Sequence, residues 1–388
     1  MWIAASPLQK RLVAALETDT HITASDFPEA ELMAEGEALV TSPLFGELVE
    51  LLIAQRHDLD DQAGATRVIC LGLRKNAFRD ALIHAIDVLV ESGLDDLSLF
   101  AKALDSRAGD EDASVHIRVE AVSGLTQFAL QFPRLTPYAA TGVLRLLDVE
   151  DDWVKAKLCR ITSILHDHLA WTDAVDSLTT LTRCEACAIE ACQELGFVEM
   201  ANAFRSDELA TMTNCFARSA TWFYESARLS ENAPRARMYA TVATALADSL
   251  TSENAKIQDI QSLNDDAQWV AAYSAPRAGA AWLSPPPEAE LEWIPLLAPL
   301  EPSSVIDPVS LLASAVQLFE KVRSVRVFSK GQWEYRAPQG ISRLTEQGRF
   351  VGTMRSWLRG NATASMSAEG RVLLQSNIDR IGASPGKH

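Results

Sequence analysis

Three cysteines stand within nine residues, Cys184, Cys187 and Cys192, and His166 and His168 lie shortly upstream of them. Thiolates and imidazoles are zinc ligands, and a Cys-x-x-Cys pair can also exchange a disulfide. Each chemistry makes a demand on its surroundings. A tetrahedral zinc ion needs four converging ligands, and Cys-x-x-Cys zinc pairs usually sit in tight turns. There is no second Cys-x-x-Cys, and two histidines two residues apart on a helix diverge by about 200°. A thioredoxin-like redox site wants a strand before the motif, whereas AVDSLTTLTR, which precedes Cys184, has a helical pattern. The third reading needs no chemistry. Cys184, Cys187, Ala188, Ala191, Cys192 and Leu195 recur at intervals of 3, 1, 3, 1 and 3, the inward stripe of a helix. Free cysteine packs as a small hydrophobe. This reading is preferred, and it predicts no metal, no cofactor and no enzymatic activity.

The dipeptide His-Asp occurs at His57–Asp58 and again at His166–Asp167. It resembles the metal-binding pair of the all-helical HD-type phosphohydrolases, which would make His21 or His116 the upstream ligand. QRHDLDDQAG reads better as an exposed acidic turn, so a metal-dependent phosphohydrolase is kept as an alternative. The chain has no Gly-x-Gly-x-x-Gly, no Walker loop and no His-Glu-x-x-His.

The elements that must carry these residues are helices. Between Pro43 and Pro234 the only prolines are Pro133 and Pro137, and proline is excluded from helix interiors. Apolar residues such as Leu94, Leu97, Phe100, Ala101 and Leu104 recur every three or four positions. Thr136 before Pro137 reads as an N-cap, as does Asp151 or Asp152. Inward triplets repeat: Ala77, Ala81 and His84; then Val115, Val119 and Val122; then Val154, Leu158 and Ile161; then Cys184, Ala188 and Ala191. Helices over roughly 93–106, 134–148 and 169–182 fall between them. A period near 39 residues with two helices per period, clearest in residues 134–165, resembles HEAT repeats over about residues 45–205. Val154 and Lys157, matched by Arg118 one unit earlier, carry that resemblance. Asp80 departs from it. The resemblance implies an α-solenoid that works by binding other proteins.

Eight prolines from Pro276 to Pro308 mark a linker or strap, giving a division into 1–272, 273–308 and 309–388. The 388 residues carry a net charge of −17. From Lys321 onward there are 12 Lys and Arg against 4 Asp and Glu, so that end is +8 and the remainder −25. Residues 309–322 read as an amphipathic helix. Val325, Val327, Trp333 and Tyr335 alternate across two short strands with SKGQ as the turn. The small basic unit is thus α+β, or helical with a hairpin. Its interleaved cations and aromatics, Arg323, Arg326, Lys330, Trp333, Arg336, Arg349, Arg355, Trp357 and Arg359, form the candidate partner-binding set. Guanidinium groups and aromatic rings suit an acidic protein surface or the phosphates and bases of nucleic acid. The fold expectation is therefore mainly α, a HEAT-like solenoid followed by a Pro-rich strap and a small basic domain. The functional expectation is a non-enzymatic scaffold or adaptor in a larger assembly. A nucleic-acid-associated subunit acting through 309–388 is the alternative. With no apolar run of spanning length, no secretory leader pattern and six cysteines, the expected location is the cytoplasm, away from membranes.

Overall fold

Local capping chemistry sets several boundaries. Asp61 accepts from the Gly64 amide at 2.7 Å and opens a helix over Gln62–Lys75. Ser114 accepts from the Ile117 amide before Val115–Gln131, and Asp151 from the Val154 amide at 2.9 Å before Asp152–Leu169. The Thr136 expectation shifts: a short 3-10 turn, Pro133–Leu135, comes first, and the Thr136 hydroxyl donates back to the Pro133 carbonyl.

The structure, a computed structural model, describes residues 7–17, 29–206, 208–230, 234–251 and 308–341. These residues are mainly helical. The helices in chain order are α1 Pro7–Glu17, α2 Glu29–Leu39, α3 Phe45–Ala54, α4 Gln62–Lys75, α5 Arg79–Glu91, α6 Ser98–Ala108 and α7 Val115–Gln131. Then come α8 Thr136–Leu146, α9 Asp152–Leu169, α10 Ala174–Leu181, α11 Ala188–Arg205, α12 Leu209–Leu229, α13 Pro234–Thr251 and α14 Pro308–Arg323. Strands β1 Val325–Ser329 and β2 Gln332–Arg336 follow. None of the described helices is long and apolar enough to cross a membrane.

Two compact units are present. The first takes the described residues up to Ile161 together with Val327–Glu334; the second takes Thr162–Arg326 and the residues from Tyr335 on. The described part of α14 lies in the second unit, where Ala315, Val316, Leu318, Phe319 and Val322 are buried; the expected linker 273–308 lies, but for Pro308, outside the described residues.

In the first unit alternate helices pack on one another. α3 lies on α5 and α5 on α7, while α2 lies on α4, α4 on α6 and α6 on α8. Antiparallel neighbours α6–α7 and α7–α8 join the two rows. The core is formed by Leu82, Ala85, Ile86 and Leu89 of α5 with Val119, Val122, Leu125 and Phe128 of α7. Gly124 permits the α5–α7 approach, because a Cβ there would stand 2.6 Å from Ile86 Cδ1. The inward triplets are buried at Val119, Val122, Val154, Leu158 and Ile161, whereas Ala77 is exposed just ahead of α5.

In the hairpin Val325 and Val327 of β1 are buried, whereas in β2 Trp333 is half-buried and Tyr335 exposed, so the expected alternation is seen in β1 and not in β2. Lys330 and Gly331 have φ of 51° and 80°, the two left-handed residues of a tight turn that follows strand twist. Its tip belongs to the first unit. Gln131 Nε2 donates to the Val90 and Phe328 carbonyls, and the Trp333 indole donates to Glu91 at 2.8 Å.

In the second unit α11 packs on α10 and α12, and α12 on α13. An aromatic cluster of Phe197, Phe204, Phe216, Phe223, Tyr239 and Phe319 fills its centre.

Candidate functional site

The cysteine stretch is not one helix. α10 stops at Leu181, residues 182–187 turn, and α11 starts at Ala188. Cys184 therefore lies half-buried in a turn rather than on an inward helical face. The Cys187 amide donates to the Cys184 carbonyl at 3.2 Å, and the Cys187 thiol donates to the Leu181 carbonyl at 3.3 Å. Cys187 and Cys192 are buried, and burial, seconded by Glu225, pushes the Cys192 thiol up to about 11. Among the described residues no group of three or more His, Cys, Asp or Glu is placed to hold a metal ion. A raised thiol pKa suppresses the reactive thiolate. A maleimide pulse on the folded chain should therefore modify Cys184 well before Cys187 and Cys192, which react only on unfolding; peptide mass mapping reads the order.

The histidines belong to a different cluster, wholly within the second unit. His166 and His168 point to different neighbours, as their spacing on α9 dictates. His166 Nδ1 lies 2.9 Å from Asp167 Oδ1 and its Nε2 lies 3.1 Å from Asn202 Oδ1. His168 Nε2 donates to the Arg323 carbonyl at 2.9 Å. At the centre is the Arg323 side chain, 2% exposed. Its Nε donates to Asp167 Oδ2 at 2.8 Å, its Nη2 to Ser163 Oγ, and its Nη1 forms an ion pair with Glu194 at 2.9 Å. The guanidinium carbon also sits 4.6 Å from the centre of the Phe197 ring. Burial alone would raise the Asp167 pKa, but Arg323, then His166 and Arg205, hold it well below the usual carboxylate range. Arg205 further donates to the Asp167 carbonyl at 2.7 Å and the Gln339 carbonyl at 2.9 Å.

Arg323 is thus a correction to the sequence reading. It was expected on a partner-binding surface, but the buried Asp167 and the largely covered Glu194 hold its guanidinium in the core. Of the remaining candidates, Lys330 is exposed at the hairpin tip, Arg326, Trp333 and Arg336 are half-buried, and Trp333 is bonded to Glu91. Arg349, Arg355, Trp357 and Arg359 lie outside the described residues. His57 and Asp58 are exposed in a turn, and His116 Nε2 lies 3.1 Å from Asp151.

The first unit carries a polar face that the sequence reading missed. On α5, His84, Asp87 and Glu91 follow at spacings of 3 and 4, and on α7, Glu120, Gln127 and Gln131 do so at 7 and 4. Glu50 of α3 approaches His84 at 3.4 Å. Glu120 is satisfied, accepting from Arg79 at 2.8 Å and from Lys157. Asp87 is not balanced in this way. Burial, then Glu91, pushes its pKa up to about 6, against the opposing pull of His84 and a hydrogen bond from Gln127. Gln127 is 7% exposed, and its Oε1 has no hydrogen-bond partner among the described residues. The signal was the helical spacing of charged residues, but spacing alone does not separate a packed polar face from a solvated one.

Comparison with protein-family models, curated proteins and solved structures returns no match.

Proposed function

We propose that the protein is a non-enzymatic scaffold or adaptor, a subunit of a larger assembly, whose first unit is a HEAT-like α-solenoid. Its partner-binding face runs across α3, α5 and α7. The observation that carries this reading is the polar row there: Asp87 with its raised pKa between His84 and Glu91, and beside it the Gln127 carbonyl oxygen, buried and without a hydrogen-bond partner among the described residues. Alternate helices stacked in rows place equivalent residues of successive helices side by side, which supports recognition along a surface. A carboxylate held in its less stable charged form is a liability in isolation, and cationic side chains of a partner would relieve it. The same row repels phosphate, which weighs against nucleic acid at this face.

Asp87 gives the test. Its folded-state pKa lies above that of an unfolded Asp, so its charge destabilises the fold at pH 7 and above. The penalty disappears as the pH falls below the unfolded value. Discounted for partial solvent access, Asp87→Asn should stabilise the chain by about 1 kcal/mol at pH 7.5 and by nothing measurable near pH 4. Denaturant midpoints at the two pH values measure this. The same variant should bind a partner captured from the native host more weakly than the wild-type chain does. A variant that gains stability yet keeps full partner affinity counts against this face.

A further inference from the structure

α14 is held in its unit as a ligand is held. Fifty-six residues, 252–307, separate it from α13. Ala315, Val316, Leu318, Phe319 and Val322 are buried. The Phe319 ring packs 5.2 Å from Phe204 and 6.4 Å from Phe197. Phe319 and Arg323 are four residues apart, so they share one helical face, the arrangement by which an amphipathic helix anchors in a groove. The seat is built from Ser163 and Asp167 of α9 and from Glu194, Phe197 and Phe204 of α11, with α13 alongside. Its chemistry is selective. The buried Asp167 carboxylate, the largely covered Glu194 carboxylate, a hydroxyl and an aromatic face match a planar, many-donor guanidinium, and the compact ammonium of lysine fits such a site poorly. Left without a cation, the same carboxylates would be strongly unfavourable. Every contact in the seat is indifferent to which chain supplies the helix, and exchange of an identical element between protomers is a low-cost route to dimers.

We propose that the seat formed by α9, α11 and α13 is an arginine-keyed helix-binding site, and that it takes α14 from a second copy of the chain as well as its own. Arg323 is the specificity residue. The result is an exchanged oligomer.

Two full-length variants with complementary lesions test this. Arg323→Met keeps the seat and impairs the helix, while Asp167→Asn with Glu194→Gln keeps the helix and impairs the seat. Mixed, they should form a one-to-one heterodimer by native mass spectrometry, at least about 10-fold tighter than either self-associates. A mixture that remains the sum of its monomers overturns the proposal. Should the variants fail to fold, a fluorescent peptide of residues 308–341 added to the wild-type chain decides. Saturable one-to-one uptake, at least about 10-fold weaker for the Arg323→Lys peptide, supports the proposal. No uptake up to about 1 mM, the effective concentration of a tethered helix, or uptake blind to residue 323, refutes it.

Discussion

Arg323→Ala lowers the stability of the second unit by about 3–5 kcal/mol, because it leaves the buried Asp167 carboxylate and its partner Glu194 without their guanidinium. Urea unfolding followed by circular dichroism measures the loss. Arg323→Lys restores the charge but not the fork of donors, and falls between alanine and wild type. The pH dependence separates an ion-pair role from mere packing. In the wild-type chain Asp167 has a folded-state pKa below its unfolded value. Its contribution is fully present above the ordinary carboxylate range and is lost as the pH falls through the depressed folded value. In Arg323→Ala the carboxyl remains buried without that cation, and its folded-state pKa rises relative to wild type. The deficit of the variant is therefore largest near neutrality and shrinks as the pH is lowered towards 4. A deficit independent of pH would assign Arg323 to packing alone.

Glu120→Ala is expected to cost about 2–3 kcal/mol in the first unit. The effect comes mainly from Lys157, whose side chain is 10% exposed and whose charge then has no carboxylate beside it. Arg79, at 40% exposed, contributes little because water screens its pairing. Burial already lowers the Lys157 pKa, and Glu120 opposes that shift. In the variant this opposition is gone. A lysine with a depressed folded-state pKa destabilises while it is charged, so the deficit narrows as the pH rises past that pKa towards the lysine's unfolded value. Lys157→Met in the Glu120→Ala background should recover most of the loss, because it removes the stranded charge and keeps the aliphatic volume. A double-mutant cycle measured in denaturant checks both statements. The packing of Trp153, whose ring faces both Arg79 and Lys157, should change with them.

The residues that fold locally were legible in the sequence. Asp151 caps α9 as its place before Trp153 and Val154 suggests, and the Lys330–Gly331 turn follows from two short alternating runs with a glycine between them. The inward positions at Val119, Val122, Val154, Leu158 and Ile161 are buried for the same reason, since a helix repeats its faces by geometry alone. Cys184 failed because α10 is short: the chain turns at Thr182, and the helical stripe drawn through 184–195 begins only at Ala188. Arg323 failed for a different reason. Its partners Asp167 and Glu194 lie 156 and 129 positions away, and no local pattern says which of several arginines will meet a buried carboxylate. The His166–Asp167 dipeptide illustrates this further. Read by type it suggests a metal pair, but its aspartate is the acceptor for a guanidinium from the far end of the chain.

Zero-length carbodiimide cross-linking of the chain in its complex from the native host tests the scaffold reading most directly. The account predicts a stoichiometric protein partner whose lysines are joined to Asp87, Glu91 or Glu50. Links that map only to other surfaces, or the absence of any stoichiometric protein partner, would contradict it.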